Sequence, residues 1–110
     1  EYPPVQRIVL KPMVAGGTLA VLATAARARR AGIEALVTTT LDAAIGTCTA
    51  LHAAAALGGD AAHGLATSGW LAEDVGDPPT VERGCMHIDS TPGLGMIPSE
   101  SIEFEGTAGV

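Results

Sequence analysis

Lys11 stands directly after the apolar run Arg7–Leu10, "RIVL", and directly before a proline. It places a positive charge at the end of what otherwise reads as a buried strand. Three consecutive hydroxyl residues, Thr38, Thr39 and Thr40, end a second run, "IEALVTTT", with Asp42 just beyond. Thr67 ends a third and shorter run, "HGLAT", and Ser68 follows it. An ammonium carries three donors, and each hydroxyl can both donate and accept. Gathered at one mouth, such groups could line a pocket. Each also has a plain structural reading. Lys11 can snorkel or pair with a carboxylate, threonine is a good strand former, and Asp42 can cap the helix that follows it. His52 reads as a packed histidine rather than a ligand, and His63 as a partner for backbone. Gly16–Gly17 precedes a helix and could cradle a phosphate. There is no P-loop, no G-x-G-x-x-G and no usable serine–histidine–aspartate order.

The elements that must position these residues follow from the apolar pattern. Strands are expected at Gln6–Met13, Ile33–Thr40 and His63–Thr67. The runs "RIVL" and "ALV" are continuous rather than alternating, as in parallel strands buried on both faces. Helices are expected over Thr18–Ala31, with Thr18 as N-cap and Gly32 past its end, and over Asp42–Leu57, stopped by Gly58–Gly59. Strand centres recur roughly every 28–30 residues, the length of a βα unit. Parallel strands with right-handed crossovers follow. Three strands cannot close a barrel and would leave open edges. The fold class is therefore α/β, either a small open domain or a partial (β/α)8 barrel. The alanine-heavy helices favour the partial barrel, in which function sits at the carboxyl ends of the strands. The opening "EYPPVQ" reads as a linker without a starting methionine, so further chain is expected upstream. Beyond Trp70 the pattern changes. "LAEDVGDPP" reads as a polar loop or short helix, "TVERGCMHID" as a strand, "STPGLGMIPSE" as turns and "FEGTAGV" as a fraying tail. Residues 1–75 are thus expected to form a βαβαβ barrel segment, and 76–110 a strand and turn segment.

Composition bounds the rest. The 110 residues suit one small domain or a piece of a larger one. Hydrophobic residues make up 47%, but aromatics only 3%. Alanine supplies much of that content and buries little area per residue, so the core is expected to be thin. A net charge of −6, with no basic cluster beyond Arg27, Arg29 and Arg30, excludes a nucleic-acid surface. Those arginines suit a helix end. No apolar run approaches a membrane span, and no secretory signal is present. Cys48 and Cys85 lack metal-ligand spacing and read as two buried, reduced thiols in a cytoplasmic protein.

Several stretches together resemble a known family. "VLKPMVAGG", Val9–Gly17, resembles the sixth barrel strand of the enolase superfamily, in its muconate-cycloisomerase-like subgroup. "TTTLDAAIG", Thr38–Gly46, is similar to the seventh-strand motif, and "ALHAAAAL", Ala50–Leu57, to the helix after it. "HGLAT", His63–Thr67, resembles the eighth strand. "DSTPGLGMIPSE", Asp89–Glu100, resembles the segment that returns toward the capping domain. The hydroxyl triplet followed by Leu41 and Asp42 is most similar to the o-succinylbenzoate synthases of menaquinone biosynthesis. There the position of Asp42 is commonly glutamate, and the eighth strand often has aspartate where this chain has Ala66. N-acylamino acid racemases, dipeptide epimerases and muconate cycloisomerases are the other relatives considered.

The resemblance implies a lyase or isomerase that removes a proton beside a carboxylate and stabilises the enediolate with Mg2+. In a synthase, water is then lost to give an aromatic product. It implies Lys11 as the catalytic residue, a charge stabiliser in synthases and a proton carrier in racemases. Thr38, Thr39 and Thr40 would border the substrate, and Gly64 and Leu65 would form its wall. It assigns no metal ligand to this chain, because the family's ligands lie on strands three to five and its other catalytic lysine on strand two. Mg2+ would therefore be held by parts absent here. The implied partners are a small carboxylate substrate, the remaining barrel with its capping domain, and further copies in an oligomer. The chain alone would be inactive. Two readings stand apart from the resemblance: a non-catalytic partial barrel that self-associates, and an independent α/β domain binding a phosphorylated ligand at Gly16–Gly17.

Overall fold

Arg7–Leu10 (β1) and Glu34–Val37 (β2) pair in parallel, with Arg7 opposite Glu34 and Leu10 opposite Val37. They are the centre of the computed structural model, which describes residues 4–100. Arg7 and Glu34 form an ion pair at the exposed start of this ladder. Between the strands lie a four-residue helix, Pro12–Ala15 (α1), and a longer one, Thr18–Arg30 (α2). A third helix, Ala44–Leu57 (α3), follows β2. Then come a 3-10 turn at Ser68–Trp70 and two short strands, Val81–Glu82 (β3) and Cys85–Met86 (β4).

The helices pack on one face of the strand pair. Val21, Ala25 and Ala28 recur at helical spacing and bury that stripe of α2. On α3 the buried set is Ala44, Thr47, Cys48, Ala50, Leu51, Ala53 and Ala54. Small residues let this helix lie close to its neighbours. Val21, Val37, Ala50, Leu51, Ala53, Ala54 and Leu65 form the core, with Leu10, Leu57 and Met86 against it. Val37 and Val21 are the largest apolar side chains wholly out of solvent, each contributing about 1.5–3 kcal/mol. The core is thus as thin as the alanine content indicates. Arg27, Arg29 and Arg30 occupy the last turn of α2, and Arg29 Nη2 donates to Leu57 O at 2.8 Å, tying the two helix ends together.

The other face of the strands is open. Val9, one position from the core-facing Leu10, is 56% exposed. The outer edge of β1 has no strand partner among the described residues. The architecture is mixed α/β with a parallel pair and helices, consistent with part of a barrel that the described residues do not close.

Several sequence expectations are corrected. The third strand shrinks to one parallel bridge, Thr38 with Gly64, because Leu65 turns into the core. The first strand stops at Leu10, and Lys11 becomes the N-cap of α1, whose first position is taken by Pro12. Thr18 lies inside α2, which Gly17 caps, and α3 is capped by Ala43 rather than Asp42. Residues 80–89 form no single strand. β3 and β4 are an antiparallel hairpin turned at Arg83–Gly84, both at positive φ, as a tight two-residue turn requires. Cys85 is exposed and only Cys48 is buried. The tail "FEGTAGV" and the first three residues of "EYPPVQ" lie outside the described residues.

Candidate active-site segment

At the carboxyl ends of β1 and β2 the ladder continues for one further step. Thr38 N–H donates to Leu10 O at 3.0 Å, Gly64 N–H to Val37 O at 3.0 Å and Thr39 N–H to Gly64 O at 3.0 Å. The remaining ladder donor, Val37 N–H, goes to His63 Nδ1 at 3.0 Å. An imidazole ring thus does the work of a missing strand carbonyl, and His63 is the backbone partner that its sequence context indicates. Removing it leaves the Val37 N–H, on a residue wholly out of solvent, without an acceptor. We expect His63→Ala to cost about 1–3 kcal/mol. The urea midpoint should fall accordingly, and His63→Asn, whose amide oxygen can accept, should lose less. Equal midpoints for wild type and the alanine variant would contradict this role.

Lys11 is half-buried at this end, and its Nζ donates to Thr39 O at 2.8 Å. Two further N–H donors of the ammonium remain, so the group can serve a ligand while tethered. Thr38 is half-buried, with its Oγ1 out of solvent and unpartnered. Thr39 is only 3% exposed, and its hydroxyl reaches Gly64 O at 3.3 Å and Thr67 Oγ1 at 2.7 Å. Thr40 is exposed, and both its N–H (3.1 Å) and its hydroxyl (2.5 Å) donate to Asp42 Oδ1. Gly64 touches Thr38 so closely that a Cβ there would lie 2.8 Å from Thr38 Cγ2. Leu65 is buried in the core. Lys11, Thr38, Thr39 and Gly64 therefore meet at one place. Thr40 stands at its rim with Asp42, and Leu65 points away into the helix layer.

A family model described as enolase C-terminal domain-like matches residues 4–102. The chain belongs to the enolase C-terminal domain-like family. No curated protein and no solved structure matches it. Enolase superfamily enzymes typically use Mg2+. Among the described residues no three His, Cys, Asp or Glu side chains converge, so these residues do not fit that ion. No described helix is long and apolar enough to cross a membrane.

Two features of this family segment were not legible beforehand. The first is the pairing of Thr67, a strand-end residue named from the sequence, with Thr39 through their hydroxyls. The second is Asp74, whose Oδ1 accepts from the first N–H of α3, at Ala44, at 2.7 Å and from Val75 N–H at 2.6 Å. Asp42, the expected cap, is 4% exposed and packs on Gly46 instead. The phosphate cradle at Gly16–Gly17 is also closed. Both amides donate to Pro12 O, finishing α1.

Burial pushes the Cys48 thiol above its ordinary range, and the Asp74 charge adds to the effect. The folded state therefore keeps a proton that the unfolded chain gives up. That contribution is full below the ordinary thiol range near about 8.5 and is lost as pH rises from there through the raised value of the folded state. We expect the urea midpoint to fall on going to alkaline pH, and to fall less in Cys48→Ala. An equal fall in both would remove Cys48 as the cause.

Proposed function

We propose that the chain supplies the sixth- to eighth-strand part of an o-succinylbenzoate synthase-like enzyme, a lyase that dehydrates a small cyclohexadiene carboxylate in menaquinone biosynthesis. The observation that carries this reading is Lys11, held at the carboxyl end of β1 by the Thr39 carbonyl with donors to spare. Proton removal beside a carboxylate builds negative charge on its oxygens. A cation fixed in advance can meet that charge without reorganising as it develops. In this reading the Thr38 hydroxyl, unpartnered and out of solvent at the same place, turns outward to meet a polar group of the substrate. The "TTTLD" stretch, Thr38–Asp42, is what favours the synthase over the racemases, epimerases and cycloisomerases of the same family.

In this reading Mg2+ and the second lysine belong to the remaining barrel, whether in the same polypeptide or in a separate chain. The open edge of β1 and the exposed Val9 support a neighbouring strand there. A capping domain over the mouth, an oligomeric assembly and a cytoplasmic location complete the proposal. A second reading, a self-associating module without catalysis, draws on the exposed Met13, Val14 and Leu19 around α1.

The test is complementation. The chain, alone and with a polypeptide carrying barrel strands one to five and the cap, is assayed with Mg2+ for dehydration and for racemisation of N-acylamino acids. Dehydration only in the complemented sample is the expected result. Racemisation alone would move the chain to the racemases. A stable homo-oligomer inactive in every combination would favour the module.

A further inference from the structure

The residue whose carbonyl holds Lys11 is itself fixed from outside the strand pair. Thr39 N–H donates to Gly64 O at 3.0 Å, and the Thr39 hydroxyl reaches the same oxygen at 3.3 Å. A hydroxyl has one hydrogen to give. With that hydrogen on Gly64, Thr39 Oγ1 is an acceptor toward Thr67 Oγ1, 2.7 Å away, and Thr67 is the donor. Thr39 is almost wholly buried, so solvent does not compete for these groups. Thr67 in turn starts the 3-10 turn, accepting from Trp70 N–H at 3.1 Å.

We infer that Thr67 is a positioning residue for Lys11, acting through the Thr39 hydroxyl and the Thr39 carbonyl. The hydroxyl pair and the Thr39 N–H hold the Thr39 Cα to residues 64–67. The Thr39 carbonyl leaves that Cα in the next peptide, whose N–H, at Thr40, donates to Asp42 Oδ1 at 3.1 Å, and this carbonyl fixes where the ammonium sits. Residues from three sequence segments are thus joined through Thr39, its hydroxyl to Thr67 and its carbonyl to Lys11. The catalytic meaning of this line rests on the proposed function, whereas its geometry does not.

The sequence provides a direct probe, because Lys11 is its one lysine. An amine-directed reagent, with peptide mapping to separate Lys11 from the α-amine, reads the tether in the full chain. Thr67→Val keeps the shape and removes the donor. It is expected to speed modification of Lys11 about three- to tenfold, the size of one hydrogen bond, while Thr67→Ser keeps the wild-type rate. Thr67→Ala gives the same comparison if the valine variant does not fold. Wild-type rates in the folded valine or alanine variant would overturn the inference. So would equal acceleration in the serine variant, which would point to the methyl group rather than the hydroxyl. In the complemented enzyme the expected signature is a fall in kcat with KM unchanged, restored by serine. A changed modification rate without dehydration activity in any sample would count against the proposed function and leave the positioning role standing.

Discussion

Lys11→Ala in the complemented enzyme should lower kcat by about a hundred- to a thousandfold, the usual loss when one preorganised electrostatic group is removed. The variant is expected to fold. Lys11 caps α1 through its backbone carbonyl, which accepts from Val14 N–H at 3.0 Å and Ala15 N–H at 2.8 Å, and its side chain makes no cap bond. Losing the ammonium therefore leaves α1 intact and frees only the Thr39 carbonyl. Lys11→Arg should recover little, because a planar guanidinium does not occupy the place of a compact ammonium. Steady-state kinetics beside a urea unfolding curve separates the two effects. Wild-type turnover in a folded Lys11→Ala enzyme would sink the assignment of Lys11.

The second large effect is on stability. An alanine Cβ at Gly64 would lie 2.8 Å from Thr38 Cγ2 and 3.4 Å from Thr38 Cβ, inside the usual carbon–carbon separation of about 3.5–4.0 Å. Both residues belong to the bridge that replaces a third strand, so neither can retreat without breaking it. Gly64→Ala should cost about 1–3 kcal/mol by overpacking. Thr38→Ser removes the Cγ2 that the new methyl meets and keeps the hydroxyl. The double variant should therefore regain much of the loss, and the two changes should be visibly non-additive in a double-mutant cycle. Strict additivity of the urea-derived free energies would show that the contact is not where the cost arises.

The bodies of β1, β2, α2 and α3 were legible in the sequence because each carries its own signal. "RIVL" and "ALV" are continuous apolar runs, and the alanine-rich helical runs are stopped by Gly32 and by Gly58–Gly59. What was not legible depends on atoms far away in the chain. The eighth-strand segment offers a short apolar run, yet His63 meets the ladder through its ring, which accepts from Val37 N–H, Gly64 makes one bridge and Leu65 turns inward. Helix starts were misplaced for a related reason. Thr18 and Asp42 have the right side chains, but capping is decided by backbone dihedrals at Gly17 and Ala43 and, for α3, by a carboxylate at Asp74. At the site, Lys11 was singled out by its position at a strand end, and its catalytic role by the resemblance alone. The buried state of Thr39 was not legible, since three threonines in a row alternate faces and sequence alone does not say which hydroxyl is turned inward. Residues 76–100 carry turn signals but few apolar anchors, and beyond the hairpin their described β-pairing is one isolated bridge between Gly76 and Pro98.

The Asp74 cap has a consequence for the order in which the protein is made. Ala44 N–H finds its acceptor 30 residues further along the chain. On a ribosome adding about 5–20 residues per second, α3 emerges and must wait a few seconds before its own first turn can be completed. During that interval its start is held only by local contacts, among them the Thr47 hydroxyl on Asp42 O at 3.2 Å. Nascent α3 should therefore stay frayed at its beginning until residue 74 has cleared the exit tunnel. A pause in translation inside that window would lengthen the time this alanine-rich helix spends unanchored.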